Sequence, residues 1–420
     1  MKYAPELRGD VLSLILDRLV KLDVRVQVDY EDLQAGAREA VDQQITRPSD
    51  NGFENDESSD DSDDGENPNI DAENTVAPEV KEVLENADKV DAILELLFEH
   101  YDEEFRSTST TIRHGALDTL LTHFMTIILP TQRSRHTQFL VFHFAQTSPE
   151  FVDTFVGTCV STAFEKNQPA LVRQAGAAYL ASFVARGMHV PSNIVRDVFD
   201  YIGIELSRLR GLYEPNCQGP SLRRYSSYYC LVQALLYIFC FRWQDLEYNS
   251  DEDSEDEQLP TPYRGDHQWM PGVKETLTQN IFSTKLNPLK VCQPDLVEQF
   301  AEMANRLGVI YVFGLIETNK RINFAQWSGA TTMTAYGHPS RETALSARKD
   351  DDHHFLDGYF PFDPITLPKS RKWVEGDCRE WTGLPGVDRD GDDESESEAE
   401  DVGKSEVEED TATEQSNDSF

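Results

Sequence analysis

Basic side chains are the scarce sign in this chain, with 38 Lys and Arg against 76 Asp and Glu and a net charge of -38. Their clusters are therefore the first residues to ask for chemistry. One is PTQRSRHTQF (130–139), which sets Arg133, Arg135 and His136 where a helix is expected to start. Positive charge at a helix start opposes the helix dipole, so something must compensate it. Two readings stay open: a salt-bridged turn between helices, or a contact for an acidic partner surface. The other cluster is KSRK (369–372), with Lys369, Arg371 and Lys372. It reads as a second partner contact, a nuclear import signal or an ordinary exposed turn. Arg173, early in a helix, and Arg186, at the end of the same helix, complete the set, and Arg186 is electrostatically at ease there. The remaining chemistry is phosphoryl transfer to the chain. Ser58, Ser250, Ser254, Ser395, Ser397 and Ser405 each have an acid three residues on. That pattern suits acidophilic kinases, and phosphate would deepen an already negative region. The same pattern also arises by chance in any acidic, Ser-rich run.

Catalytic and metal sets are missing. There is no Walker loop, no nucleotide-binding GxGxxG and no GxSxG elbow. The run DRDGDD (388–393) imitates a calcium loop, but Gly391 falls at loop position 4 instead of 6, and Ala399 stands at position 12. His353 and His354 lack the cysteine or carboxylate frame of a zinc site and read as a surface pair. The six cysteines (159, 217, 230, 240, 292 and 378) form no CxxC pair, and four lie in apolar or helical context. Carboxylates are plentiful but sit in solvated runs, where none would gain the raised pKa of a general acid. No enzyme, cofactor or metal is expected.

The elements that must position the basic clusters are helices. Leu12, Ile15, Leu16, Leu19 and Val20 form one helical stripe, and Val90, Ile93, Leu94, Leu97, Phe98 and Tyr101 form another. Further stripes follow at 117–128, 134–147, 150–160, 172–184 and 194–202, punctuated by Pro130, Pro149, Pro169, Gly187 and Pro191. The apolar run 228–243 has 16 residues and includes Gln233, too short to span a bilayer, so it reads as a buried core helix. Helix starts about 20 residues apart give a pair period near 40, that of HEAT or armadillo repeats. The expected fold is an all-α solenoid, with a globular helical bundle as the alternative. Three acidic runs (54–73, 251–257 and 388–410) hold most of the net charge. They cannot repay ordering entropy and are expected to be disordered. The expected organisation is a first helical repeat (1–33), an acidic insert (34–78), helical repeats (79–247), an acidic loop (248–268), further helices (269–327), an irregular segment (328–385) and an acidic tail (386–420). Helices are expected at 269–284 and 294–318, and the aromatic, Pro-rich 355–373 is expected to pack extended against the last of them. The net charge argues against nonspecific nucleic-acid binding, the amino terminus is no signal peptide, and a soluble intracellular protein is expected.

Five blocks then carry a resemblance. ILPTQRSRHTQFLVFHFAQ (128–146), LVRQAGAAYLASFVARGMHVP (171–191), LNPLKVCQPDLVEQFA (286–301), ETNKR (317–321) and YFPFDPITLPKSRKWV (359–374) resemble, in order, the RNA polymerase I-specific initiation factor family. Members of that family usually carry further helical repeats ahead of the segment that starts here at PELRGDVLSLILDRLVKLDV (5–24), so the chain is expected to begin in mid-solenoid. Its acidic inserts resemble the family's only as a type.

The resemblance implies a non-enzymatic adaptor in the nucleus and nucleolus. Such factors bind RNA polymerase I near its stalk, contact the promoter-bound core factor at ribosomal RNA genes, are modified by protein kinases, and in some cases self-associate. No membrane contact and no direct sequence-specific DNA readout are expected. On this reading Arg133, Arg135 and His136 face the polymerase, and Lys369, Arg371 and Lys372 face the second partner. The rival readings are a transport-receptor-like solenoid carrying cargo and a helical hydrolase.

Overall fold

The computed structural model describes residues 7–34, 36–38, 41, 78–131, 134–248, 268–327, 355–363 and 367–383. Among them there is no β-sheet, and the helical stripes of the sequence become the buried faces of packed helices. Helix α1 (Arg8–Asp32) buries Leu12, Leu16, Leu19 and Val20, and its partner is α2 (Pro78–Phe105), which buries Val90, Leu94, Leu97, Phe98 and Tyr101. Each such side chain contributes about 1.5–3 kcal/mol of transfer free energy. The α1 stripe is thus covered from downstream.

Helix α3 (Thr110–His123) runs into one widened turn, Phe124–Ile128, in which the Leu129 N–H reaches the Phe124 carbonyl at 2.8 Å. The extra residue in that turn sets the buried Phe124 ring against Phe155 and Tyr179, with centroids 5.2 and 4.9 Å away. Helix α4 (Phe139–Ala145) is shorter than the expected 134–147. Residues 134–138 make a turn instead, because their polar side chains find local partners that compete with helix formation. Ser134 Oγ donates to Gln138 Oε1 at 3.0 Å, and Gln138 Nε2 donates back to the Ser134 carbonyl at 2.8 Å.

Helix α5 (Pro149–Phe164) starts as its sequence dictates, with Pro149 in the first turn and the Ser148 hydroxyl accepting from the Phe151 N–H. It packs on α6 (Ala170–Arg186) so closely that a Cβ on Gly176 would stand 3.0 Å from Thr162 and the Ala163 backbone. Helices α7 (Ser192–Tyr213) and α8 (Leu222–Arg242) follow. α6 and α8 are neighbours with α7 outside them, the two-layer order of a helical-repeat solenoid. α8 carries the apolar run and is buried nearly all round. Its Arg242 guanidinium, fully buried, donates to the carbonyls of Val184, Gly187 and Val190 and pairs with Asp245 at 2.5 Å. That closes the carboxyl end of α6 with a charge-assisted cap.

The later helices correct two expectations. The segment 269–284 is helical only from α9 (Val273–Leu277) through a widened turn, Thr278–Phe282, because Gly272 enters at φ +93°. The expected helix 294–318 is two: α10 (Pro294–Arg306) and α11 (Phe313–Trp327). Gly308 at φ +61° stops α10, and the Val309 N–H returns to the Ala304 carbonyl at 2.9 Å. Most of the acidic insert 34–78 and loop 248–268, and all of the tail 386–420, lie outside the described residues.

Candidate partner interface and the strap that braces it

Residues 355–363 and 367–383 form an extended strap, within which Arg371–Val374 makes one short helical turn, α12. The expectation that this segment packs on the last helices holds only at its start, where the Leu356 N–H meets the Val291 carbonyl at 2.8 Å. Gln233 of α8 then takes it over. Its Nε2 donates to the Asp357 carbonyl at 2.9 Å while its Oε1 accepts from the Gln293 N–H at 2.9 Å. Phe360 stacks on Tyr237 with centroids 3.8 Å apart, and Phe362 is fully buried among Phe142, Tyr179, Phe139, Phe183 and Phe155. The chain thereafter reaches back to α2, where Trp373 stacks on Phe98 at 5.6 Å. The strap runs across the repeats because its large rings find burial only in the groove between them.

Three carboxylates hold this arrangement. Asp91 of α2, fully buried, accepts from the Lys369 and Ser370 N–H groups at 2.8 Å each and from Ser370 Oγ at 2.6 Å. Asp23 of α1, also fully buried, accepts from the N–H groups of His136 and Thr137 at 2.9 and 3.0 Å, from Thr137 Oγ1 at 2.9 Å and from His136 Nδ1 at 2.7 Å. Burial alone would raise the Asp23 carboxyl; the His136 ring and the backbone donors outweigh it and hold the group below the usual carboxylate range. Asp377, in the strap, accepts from His143 Nδ1 at 2.5 Å and lies 3.5 Å from His189 Nε2. Arg186, at the end of α6, donates to Asp363 and to the Tyr237 hydroxyl at 3.0 Å each and covers the Phe241 ring at 4.5 Å.

The two basic clusters therefore meet the α1–α2 pair. Of the first, Arg133 lies outside the described residues, Arg135 is exposed, and His136 is occupied by Asp23. Of the second, the Lys369 backbone is tied to Asp91 while its side chain is exposed, Arg371 is exposed, and Lys372 pairs with Glu95. The compensating acid asked for by the positive turn exists, and it is Asp23. Exposed cations available to a partner are thus Arg135, Lys369 and Arg371. Ser58, Ser250, Ser254, Ser395, Ser397, Ser405, His353, His354 and the run 388–393 lie outside the described residues. Among the described residues no group of His, Cys, Asp or Glu could hold a metal, and no helix is long and apolar enough to cross a membrane.

Sequence reasoning passed over Asp23 and Asp91. A signal was there: each acid interrupts a buried apolar stripe, Asp23 between Val20 and Val26, and Asp91 between Val90 and Leu94. An acid on a core face must be paired.

Residues 1–386 match the family described as RNA polymerase I specific transcription initiation factor RRN3. The chain belongs to the RRN3 family. It is similar to the RNA polymerase I-specific transcription initiation factor rrn3 of Schizosaccharomyces pombe, at 31% identity over 94% of this chain and 60% of that protein. RRN3 of Mus musculus is 27% identical over 90% of this chain and 53% of its own length, and RRN3 of Saccharomyces cerevisiae 28% identical over 72% and 47%. The chain spans about half the length of the curated relatives it matches. The crystal structure of RNA polymerase I transcription initiation factor Rrn3 superposes with a TM-score of 0.63 at 24% identity, covering 90% of this chain and 63% of that one. That likeness carries the fold, which in this chain is a helical solenoid with a strap laid across its repeats.

Proposed function

We propose that this chain is an RNA polymerase I-specific transcription initiation factor, an adaptor that docks the polymerase and bridges it to the promoter-bound core factor at ribosomal RNA genes. The observation that carries the reading is the family match over residues 1–386, supported by relatives whose names state this function. The geometry agrees with an adaptor. A braced helical surface presents exposed cations, Arg135, Lys369 and Arg371. Holding two partners at once raises their effective concentration and so the initiation rate, without bond chemistry. Its place of action is the nucleus, and within it the nucleolus. Protein kinases acting on Ser58, Ser250, Ser254, Ser395, Ser397 and Ser405 would tune docking through added negative charge, and self-association would hold the free factor in reserve.

The test is retention of purified RNA polymerase I on the immobilised chain, with RNA polymerase II as control. Selective retention of polymerase I is expected; equal retention of both, or of neither, overturns the proposal. In the same assay Arg133→Glu/Arg135→Glu, with unchanged circular dichroism, is expected to weaken retention about tenfold or more, since like charges set against an acidic surface repel. Wild-type retention by that variant would remove the 133–135 turn from the interface.

A further inference from the structure

Helix α7 is apolar on two faces. One face meets α8 and buries Val195, Val198, Phe199, Ile202 and Leu206. The other turns Tyr201, Ile204 and Leu212 to solvent, 53%, 67% and 60% exposed. Single exposed apolar residues are ordinary on any protein surface. These three share one helix and one side of it. With Arg208 they stand at i, i+3, i+7 and i+11, the spacing by which a helix presents a seam to another helix. The row is roughly 16 Å long, about three turns. A helix needs one apolar stripe to join its core, so the second stripe does nothing for the fold.

The face is held in place from one flank. The segment from α9 into its widened turn lies along α7, with Thr276 so close to Gly203 that a Cβ there would stand 3.0 Å from it. Further along, Asn280 Nδ2 donates to Ser207 Oγ at 3.3 Å, and Arg210 donates to Gln279 Oε1 at 3.1 Å. The charges on the exposed side are divided. Arg208, in the row itself, is committed, its Nε donating to Glu205 Oε2 at 2.6 Å. Asp197, one turn ahead of Tyr201, and Asp200 are both exposed, and neither takes part in an ion pair among the described residues. Partial burial, and after it the charge of Asp197, raises the Asp200 carboxyl above its ordinary value. Two carboxylates one turn apart beside an apolar row call for a cation from outside. The chain's own acidic runs, 54–73, 251–257 and 388–410, carry the wrong sign to supply it.

We propose that the outer face of α7 docks an amphipathic helix of a protein partner, its apolar seam laid over Tyr201, Ile204 and Leu212 and a Lys or Arg set against Asp197 and Asp200. The surface uses none of the residues of the two basic clusters, so the proposal goes beyond the adaptor reading and does not depend on it. Apolar contact along the row supplies affinity, and the two carboxylates fix the end at which the partner's cations must lie. The charge of the whole chain, -38, draws a basic helix in and turns an acidic one away.

The experiment is fluorescence anisotropy of the full chain with labelled helical peptides of about 18 residues, some 27 Å of helix. The probe has Leu at the seam positions and Lys beside them; one control has Glu for Lys, another has Ser for the seam Leu. The probe is expected to bind roughly tenfold more tightly than either control. Ile204→Ser/Leu212→Ser is expected to weaken its binding about tenfold at any salt concentration. Asp197→Lys/Asp200→Lys should weaken it several-fold, with a loss that shrinks in high salt. Leu14→Ser, at an exposed position of α1, is expected to leave binding unchanged. Should the double Ser variant lose its native circular dichroism, the double Lys variant decides alone. Absence of binding, equal binding by the Glu or Ser control, or wild-type affinity in the folded α7 variants overturns the proposal. Sedimentation equilibrium of the chain without peptide tests the other occupant: a dimer that the double Ser variant dissociates would assign the face to a second copy and overturn the proposal as well.

Discussion

Phe362→Ala is expected to destabilise the folded chain by about 3–5 kcal/mol, the range for truncating a buried aromatic ring. The ring is fully buried, and its centroid lies 4.6–6.4 Å from those of five other rings, contributed by α4, α5 and α6. No single neighbour can fill the space, because these rings are themselves fixed against one another: Phe155 contacts Phe183 at 4.6 Å and Phe124 at 5.2 Å. The backbone beside the ring is also committed, through the Phe362 N–H to Ser182 Oγ at 2.9 Å and Gln138 Nε2 to the Pro361 carbonyl at 2.7 Å. A cavity therefore stays open instead of collapsing. A thermal melt followed by circular dichroism should show Tm lowered by about 6–10 °C or more. An unchanged Tm would mean that the strap does not sit in the groove in solution. Phe362→Leu, which keeps most of the apolar volume, is expected to recover more than half of the loss.

Asp23→Ala is the second large effect, expected at about 3 kcal/mol. Removing the carboxylate leaves the His136 and Thr137 N–H groups and the Thr137 hydroxyl without an acceptor in a buried site. Asp23→Asn keeps one acceptor oxygen and should lose less. The pH dependence has a definite sign. The carboxyl titrates lower in the folded chain than in the unfolded one. The stability that this difference supplies is complete above the unfolded value of about 4, and is lost as pH falls through the folded value. Urea midpoints between about pH 3 and 7 should therefore converge for wild type and Asp23→Asn at the acid end. A constant gap across that range would show that the Asp23 charge plays no part.

How far the sequence reveals this molecule depends on the range over which each feature is determined. The stripes at Leu12–Val20 and Val90–Tyr101 are legible because a helix repeats its buried face every three or four residues, and both faces are buried as read. The start of α5 is legible because Ser148 and Pro149 are local signals. The turn at 134–138 reads as helix because its apolar neighbours dominate, and only the pairing of Ser134 with Gln138 and the arrival of Asp23 undo it. The stop after Arg306 is hidden because an isolated glycine inside a helical pattern is tolerated at a modest cost and so does not by itself mark a helix end. Nothing local says where the strap goes, since the partners of Phe362 stand some 180–220 residues upstream. The basic clusters stood out by composition, but their division into internal and exposed members depends on Asp23, Asp91 and Glu95, which meet them only in three dimensions.

Stacked repeats ordinarily touch only their neighbours, so that each pair of helices can open without consulting the rest. Here the bonds from Asp91 to Lys369 and Ser370 join residues 278 and 279 positions apart, and those from Asp23 to the 136–137 turn span 113 and 114. Such links cannot form until the chain between them is nearly in place, which makes them late contacts of high contact order. Once made, they close the linear array into a loop of mutual dependence, and fraying at one repeat is opposed by contacts anchored several repeats away. The strap thus turns a sum of independent units into one cooperative body.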